Sequence, residues 1–357
     1  MKVELISVIA LLLCLSIIGI EYIIHYRLAE QQDEHSIREQ NMTRRMTIRV
    51  DGILRAPTSS CLESELHAMS EDIGDDFEAY EIAVNILREL KEKRGDEKID
   101  RLTTALQNEV DPVRIYAKML ESGDVYHKGY AMRRLADLGA EEYRDKMIEG
   151  LESKNRDLCY NAAMSLAQFG DIEHVSDYLM SIEDDRLYSG RIINEFFDDF
   201  KGSRAELAES LFEKCNDYMK STIIKALVPY KIEEFRPMYL EGYAGKNFGM
   251  KVACIKAIAA FGNPEDEQLL QIAAQDKEWV IRAAAIRGLS LLKTPSALKS
   301  VKNALRDKEW WVRQTAANAI TSMDISPSDL EDILGGYDRF AADAVKAVLY
   351  KKIDSLN

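Results

Sequence analysis

The sequence predicts an all-α protein in which pairs of helices repeat along the chain. Only seven prolines and 18 glycines occur in 357 residues, and 46% of the residues are hydrophobic. This composition favours helices joined by tight turns and provides enough apolar surface for a sizeable core. The sequence also repeats internally, because the four residues Asp276 to Trp279 recur 31 positions later as Asp307 to Trp310.

Apolar positions follow the same period. Stepping back by 31 from Ile320 reaches one apolar residue in each unit, with a single step of 30: Leu289, Ile258, Leu227, Phe196, Leu166 and Leu135. Around Asp307, two stretches have apolar residues at spacings of three and four, which is typical of amphipathic helices. They are Ala297, Leu298, Val301 and Leu305 before it, and Val312, Ala316, Ala319 and Ile320 after it. One helix pair cannot cover its own apolar face, so we expect successive pairs to stack into a solenoid.

The repeat resembles the HEAT-repeat family, and more narrowly the short bacterial HEAT-like repeats of the phycobilisome-lyase type. The likeness rests on Asp276 with Arg282 and on Asp307 with Arg313, six residues apart in each case, with Ile or Val before the arginine. It implies a right-handed α–α superhelix in which these four residues form a polar ladder between adjacent repeats. The resemblance extends over roughly residues 125–350, but only the two C-terminal copies carry the whole signature.

A long apolar run at the amino terminus predicts one transmembrane helix before the repeats. Residues 5–24 are mostly apolar, and about 20 such residues span a bilayer. A cleaved signal peptide is the competing interpretation, but the run exceeds the usual apolar region of such peptides and no Ala-x-Ala site follows it. More basic residues follow the run than precede it, so we expect a single-pass cell-membrane protein with its C-terminal solenoid in the cytoplasm.

These features divide the chain into four predicted parts: a transmembrane anchor at 1–26, a juxtamembrane linker at 27–60, N-terminal helices or a cap at 61–124, and a HEAT-like solenoid with a C-terminal cap at 125–357. Within the linker, arginines alternate with apolar residues. Two interpretations remain open for this stretch. It is either a strip that rests on anionic lipid, or a short strand or solvated linker.

The sequence contains no recognisable catalytic motif, so we expect a protein that is not an enzyme and needs no cofactor. The five histidines are isolated, and the Walker A, His-Glu-x-x-His and Gly-x-Ser-x-Gly patterns are absent. Helical-repeat di-iron hydroxylases resemble this architecture but rely on His-Glu dipeptides, and this chain has none. His174 could be a metal ligand, but a lone histidine in a turn is more often a surface residue. We therefore expect no metal site.

Charge is unevenly distributed along the chain, whose formal net charge is −14. Residues 60–245 hold 24 basic and 40 acidic side chains, whereas residues 246–320 hold 12 basic and seven acidic ones. Unlike charge at separate places on a long surface suits two different partners.

All three tryptophans of the chain lie in the basic part, at the start of predicted second helices. By resemblance to HEAT repeats, the second helix lines the concave face, so basic side chains would border the same groove as the indoles. The predicted binding residues are Trp279, Trp310, Trp311, Arg287 and Lys293, because tryptophan and arginine are enriched at binding hot spots. The competing interpretation is that the indoles pack between repeats or shield the end of the array.

These features favour a membrane-anchored scaffold or adaptor that presents a cytoplasmic solenoid to a membrane-associated partner protein, for example in an envelope-synthesis complex. A tether raises the effective concentration at the membrane, so modest affinity is enough. One alternative is an enzyme similar to HEAT-like chromophore lyases. Another is nucleic-acid binding through the basic groove that carries the tryptophans, which the net charge of −14 disfavours.

Overall fold

The computed structural model describes residues 21, 26, 36–55, 59–94, 97–182, 189–323, 325–336 and 338–354. Every regular element in these ranges is a helix, which confirms the all-α prediction for the part of the chain described. The chain divides into two compact units, Met1–Ala140 and Glu141–Asn357. The predicted start of the solenoid at residue 125 thus falls on the last helix of the first unit.

The first unit is a small helical cluster. Its helices are α1 (36–55), α2 (Ser59–Ile73), α3 (Phe77–Arg94), α4 (Glu97–Val110), α5 (Pro112–Ser122) and α6 (Val125–Asp137). Helix α4 packs on α2 and α3, and α5 packs on α3 and α6. The core is built from side chains at helical spacing, such as Ile99, Leu102 and Leu106 on α4, each at most 4% exposed.

Residues 36–55 differ from the expectation of a linker or strand. They are helical, and three of their side chains, Met46, Val50 and Ile53, are at most 3% exposed. Spacings of four and three place these residues on one face of a helix. Arg49 of the same helix donates to Asp72 of α2 at 2.7 Å. The alternation of arginine and apolar residues thus belongs to an amphipathic helix, and Arg49 of this helix faces carboxylates of its own unit.

A polar cluster within the first unit surrounds Glu81 of α3. Its carboxylate accepts hydrogen bonds from the hydroxyl groups of Tyr116 and Tyr130 and from the guanidinium of Arg134, at 2.7 Å from Tyr130 and 3.0 Å from Arg134. Burial, followed by the hydrogen bond to the Glu81 carboxylate, raises the pKa of Tyr130 to about 12. Three partners satisfy the half-buried carboxylate, so the cluster holds α3, α5 and α6 together.

The second unit consists of helix pairs, each a first helix followed by a second. The pairs are α7 (Arg144–Leu151) with α8 (Arg156–Gln168), α9 (Ile172–Ser181) with α10 (Ser189–Asp199), α11 (Arg204–Phe212) with α12 (Asp217–Leu227), α13 (Arg236–Ala244) with α14 (Phe248–Phe261), α15 (Glu267–Ala273) with α16 (Trp279–Leu292), α17 (Pro295–Ala304) with α18 (Trp310–Ile320), and α19 (Pro327–Gly335) with α20 (Arg339–Asp354). Each second helix from α8 to α20 packs on the next second helix. The unit is therefore a solenoid with a continuous second-helix layer.

The predicted core positions are confirmed. One buried residue recurs at the same place in each of α6, α8, α10, α12, α14, α16 and α18, and none is more than 1% exposed: Leu135, Leu166, Phe196, Leu227, Ile258, Leu289 and Ile320. Small residues bring the second helices close together. A Cβ atom added to Gly288 of α16 would lie 2.8 Å from the Cα of Ala259 on α14, so only glycine fits this crossing.

Three earlier units of the solenoid have an asparagine directly before their second helices. Asn155, Asn216 and Asn247 each accept a hydrogen bond from the backbone N–H three residues later, at 3.0 to 3.1 Å. These are N-caps, which satisfy a donor that the helix itself leaves unpaired. Their spacing of 31 or 61 residues continues the repeat into units that lack the Asp/Arg signature.

A buried ion pair links the two C-terminal turns that carry the signature. Arg282 donates from Nε and Nη2 to the two carboxylate oxygens of Asp307, both at 2.7 Å. Its Nη1 donates to the carbonyl oxygens of Asp276 and Lys277 in its own turn, at 2.9 and 3.0 Å. The two side chains are only 7% and 13% exposed. One guanidinium therefore fixes the turn before α16 and joins it to the turn before α18.

Asp307 is ionised in this setting. Burial opposes its ionisation, but hydrogen bonds from Arg282 and from the backbone N–H of Glu309 outweigh that effect and hold its pKa below the ordinary 3.8. Arg313 repeats part of the pattern in the next repeat, because its Nη1 donates to the carbonyl oxygens of Asp307 and Lys308 at 2.8 and 3.0 Å.

The predicted localisation as a single-pass membrane protein is wrong. Within the described ranges, no helix combines the length and the apolar character needed to cross a bilayer. Even the longer helices, the 20-residue α1 and the 18-residue α3, carry charged side chains along their length. The predicted span at residues 5–24 lies outside the described residues, apart from Glu21.

Substituting Arg282→Ala should lower the free energy of unfolding by about 3–5 kcal/mol, because Asp307 would remain as a buried charge without its partner. Urea unfolding followed by circular dichroism measures the loss. Arg313→Ala is the matched control and should lose only about 1 kcal/mol, because that side chain donates to neutral carbonyl groups. Equal losses in the two variants would contradict the role assigned to the Arg282–Asp307 pair.

Acid should lower the free energy of unfolding by protonating Asp307. Because its pKa is lower in the folded than in the unfolded chain, its contribution is complete above about pH 4 and declines as the pH falls through the folded value. The Asp307→Asn variant cannot titrate at this position, so its unfolding free energy should fall less steeply between pH 5 and pH 2. Asp343→Asn, which changes an exposed carboxylate, should keep the slope of the unchanged protein. Parallel slopes in all three proteins would refute the prediction.

Candidate functional site

The three tryptophans form one exposed cluster at the start of α16 and α18. Trp279 stacks on Trp311 with ring centroids 6.4 Å apart and an interplanar angle of 21°. Trp310 meets Trp311 edge to face at 4.6 Å. The side chains are 38%, 53% and 58% exposed for Trp279, Trp310 and Trp311. This aromatic cluster is a large apolar surface of the kind that marks interaction sites.

The polar ladder positions the aromatic cluster. Trp279 and Trp310 are the first residues of α16 and α18, directly after the turns held by Asp276 and Asp307. Each aspartate accepts a hydrogen bond from the backbone N–H two residues later, at 2.8 Å in both turns. Because Arg282 joins the two turns, it also fixes the distance between the indoles that follow them.

Arg287 and Lys293 lie at different places on α16. Arg287 is exposed, eight residues after Trp279, or about 12 Å along the axis at 1.5 Å per residue. Lys293 follows the last residue of α16 with a left-handed backbone, φ 56° and ψ 22°. It is 14 residues from Trp279, about 21 Å along the helix. The structure therefore separates Lys293 from the aromatic cluster with which the sequence grouped it.

Three exposed or half-buried side chains next to the predicted site were missed. Phe248, 51% exposed, begins α14 and lies 31 residues before Trp279. Lys256 and Lys225 lie 31 and 62 residues before Arg287, on α14 and α12. The 31-residue step that located the core would also have found them, if it had been applied to the surface.

His174 contacts the buried carboxylate of Asp171. Its Nδ1 lies 3.0 Å from the carboxylate of Asp171, which is 2% exposed and also accepts from Arg144 at 2.6 Å. Burial opposes ionisation of Asp171, but hydrogen bonds from the backbone N–H of His174, from Arg144 and from the His174 ring lower its pKa. Within the described ranges, no group of three potential metal ligands occurs.

Comparison with known proteins places HEAT repeats at the C-terminal end. Residues 267–350 match the family model described as HEAT repeats. No curated protein matches the chain. Human deoxyhypusine hydroxylase in complex with glycerol is 11% identical, over 79% of this chain and 97% of that chain, with a TM-score of 0.29. An engineered protein is 13% identical, over 87% of this chain and 98% of that chain, with a TM-score of 0.32. TM-scores this low support no functional inference.

The family match covers the helices from α15 into α20, which include the polar ladder and the aromatic cluster. Neither the phycobilisome-lyase type nor a membrane anchor receives support from these comparisons. Residues 267–350, at the end of an α solenoid, are therefore similar to HEAT repeats.

Proposed function

We propose that this protein is a non-catalytic interaction scaffold whose C-terminal repeats bind a partner protein through the aromatic cluster. The observation that carries the proposal is the stacking of three partly exposed indoles across neighbouring repeats, at the end of a rigid ionic ladder. HEAT repeats generally mediate protein–protein contacts, and residues 267–350 match that family.

The energetics of exposed indoles support this function. Burying apolar surface in an interface yields roughly 25 cal/mol per Å². Tryptophan is also among the residues most enriched at sites where a single truncation costs a complex more than 2 kcal/mol. The ladder holds two of the indoles at the first positions of their helices, so little conformational entropy is lost when a partner covers them.

The competing structural interpretation has less support. Indoles that serve packing between repeats would be buried, whereas Trp310 and Trp311 are more than half exposed. Nor do the indoles cover the end of the array, because α20 packs on α18 and a further helix pair follows the cluster. A partner that covers the indoles accounts for their exposure, whereas packing within the repeats does not.

The Trp310→Ala/Trp311→Ala variant should bind the partner at least 30-fold more weakly, which corresponds to about 2 kcal/mol. Its unfolding midpoint should change little, since both side chains are exposed. Quantitative affinity capture with the tagged full-length protein identifies the partner, and interferometry with the purified partner then measures the change in affinity.

Ile272→Ala provides a matched control, because Ile272 is a large apolar side chain that is 72% exposed on the first helix α15, whereas the cluster lies on the second helices α16 and α18. The control should capture the same partner with unchanged affinity. If the double tryptophan variant keeps the partners of the unchanged protein, the assignment of the aromatic cluster is wrong. If the unchanged protein captures no partner, the scaffold function itself is wrong.

A further inference from the structure

A row of polar and cationic side chains crosses the second-helix layer. Lys225, Lys256 and Arg287 lie at equivalent positions of α12, α14 and α16, spaced by 31 residues. Asn194 of α10 and Asn318 of α18 continue the row by one repeat on either side. Four of the five side chains are exposed, and Lys256 is half-buried.

The row has a fixed relation to the core. Each of its members lies two residues before one of the buried core residues from Phe196 to Ile320. Successive helical residues are about 100° apart, so two residues place a side chain about 200° from the core position. The row therefore follows the face of the second-helix layer that points away from the core.

The three cations repel one another and are not neutralised within the described part of the protein. Burial, followed by the charges of Lys225 and Arg287, lowers the pKa of Lys256. Helices α14, α16 and α18 contain no aspartate or glutamate, and Asp217, the acidic residue of α12, lies eight residues before Lys225. Among the described residues, no ion pair includes any of the three cations. Like charges placed side by side without counter-charges favour an anionic ligand.

We propose that Lys225, Lys256 and Arg287 bind an acidic segment of the partner protein that lies extended across α12, α14 and α16. This inference rests on the proposed function and names the chemistry of its partner. Helices in contact are about 8–10 Å apart. A polyproline II segment rises 3.1 Å per residue with three residues per turn, so carboxylates at every third position face one side about 9 Å apart. That spacing matches the general separation of packed helices such as α12, α14 and α16, which carry the cations.

A protein segment fits the surface better than nucleic acid does. The whole chain carries a net charge of −14, and residues 60–245 alone hold 40 acidic against 24 basic side chains. The electrostatic field of this negative charge opposes the approach of a long polyanion. A short acidic segment, by contrast, contacts only the row. The aromatic cluster begins about two helical turns from Arg287 and is available to apolar side chains of the same partner.

The test uses the full-length protein and fluorescein-labelled 12-residue peptides. One peptide has glutamate at every third position with neutral residues between, a second has the same composition with the glutamates adjacent, and a third has glutamine in their place. Fluorescence anisotropy at low salt should detect binding of the first peptide. The second should bind at least fivefold more weakly, and the third should not bind.

The Lys225→Glu/Lys256→Glu/Arg287→Glu variant should lose at least 20-fold in affinity for the first peptide. The matched control, Lys154→Glu/Lys201→Glu/Lys299→Glu, makes the same change in net charge at exposed positions outside the row and should stay within twofold of the unchanged protein. Lys225→Gln/Arg287→Gln leaves the half-buried Lys256 in place and should lose at least fivefold, so a folding defect in the triple variant cannot hide the result.

Three outcomes would overturn the inference. They are no binding of the first peptide at 1 mM, equal binding of the glutamine peptide, and equal losses in the charge-reversed and control variants. A twelve-residue oligothymidylate that binds more tightly than the peptide and depends on the same three cations would assign the row to nucleic acid instead. If the partner depends on Trp310 and Trp311 but not on the row, the proposed function stands and only this inference fails.

Discussion

The buried ion pair between Arg282 and Asp307 is the contact on which the C-terminal repeats depend. Two charges removed from water are tolerated only when their hydrogen-bonding groups are satisfied, and that requirement leaves little freedom of geometry. Arg282 meets it with four hydrogen bonds, two to Asp307 and two to its own turn. The turns before α16 and α18 are thereby fixed together, and the stacking of Trp279 on Trp311 follows from their positions.

The 31-residue period has consequences on both faces of the second-helix layer. On the inner side of each helix it stacks one large apolar residue per repeat, and close crossings such as Gly288 against Ala259 bring the helices together. On the opposite face it aligns exposed side chains at equivalent positions of successive helices. Individual residues from separate repeats thereby form one continuous surface. The row that includes Lys256 arises in this way. A solenoid thus turns sequence periodicity into a binding surface without any loop or cavity.

The helical class, the repeat period and the core were predictable from the sequence, because periodic burial leaves a periodic apolar pattern. Two predictions that differ from the structure were made from a short segment of sequence without the support of the repeat period. For the arginine-rich stretch at 44–55 the sequence left open a strip that rests on anionic lipid or a short strand or solvated linker, whereas the structure shows an amphipathic helix that buries Met46 and Val50. Lys293 was grouped with Trp279 because basic residues of the second helix were expected to border the same groove as the indoles, but Trp279 begins α16 and Lys293 follows its last residue.

By itself the sequence determined the helical class, the 31-residue period and which apolar side chains of the repeats are buried, because these properties depend on neighbours within a few turns. Only the tertiary structure decided which residues distant in the chain become neighbours: Trp279 with Trp311, Arg282 with Asp307, and Lys256 between Lys225 and Arg287. These partners are 25 to 32 residues apart in the chain. Their meeting depends on how far each helix pair is offset from the next, and that offset is set by the packing of side chains between repeats.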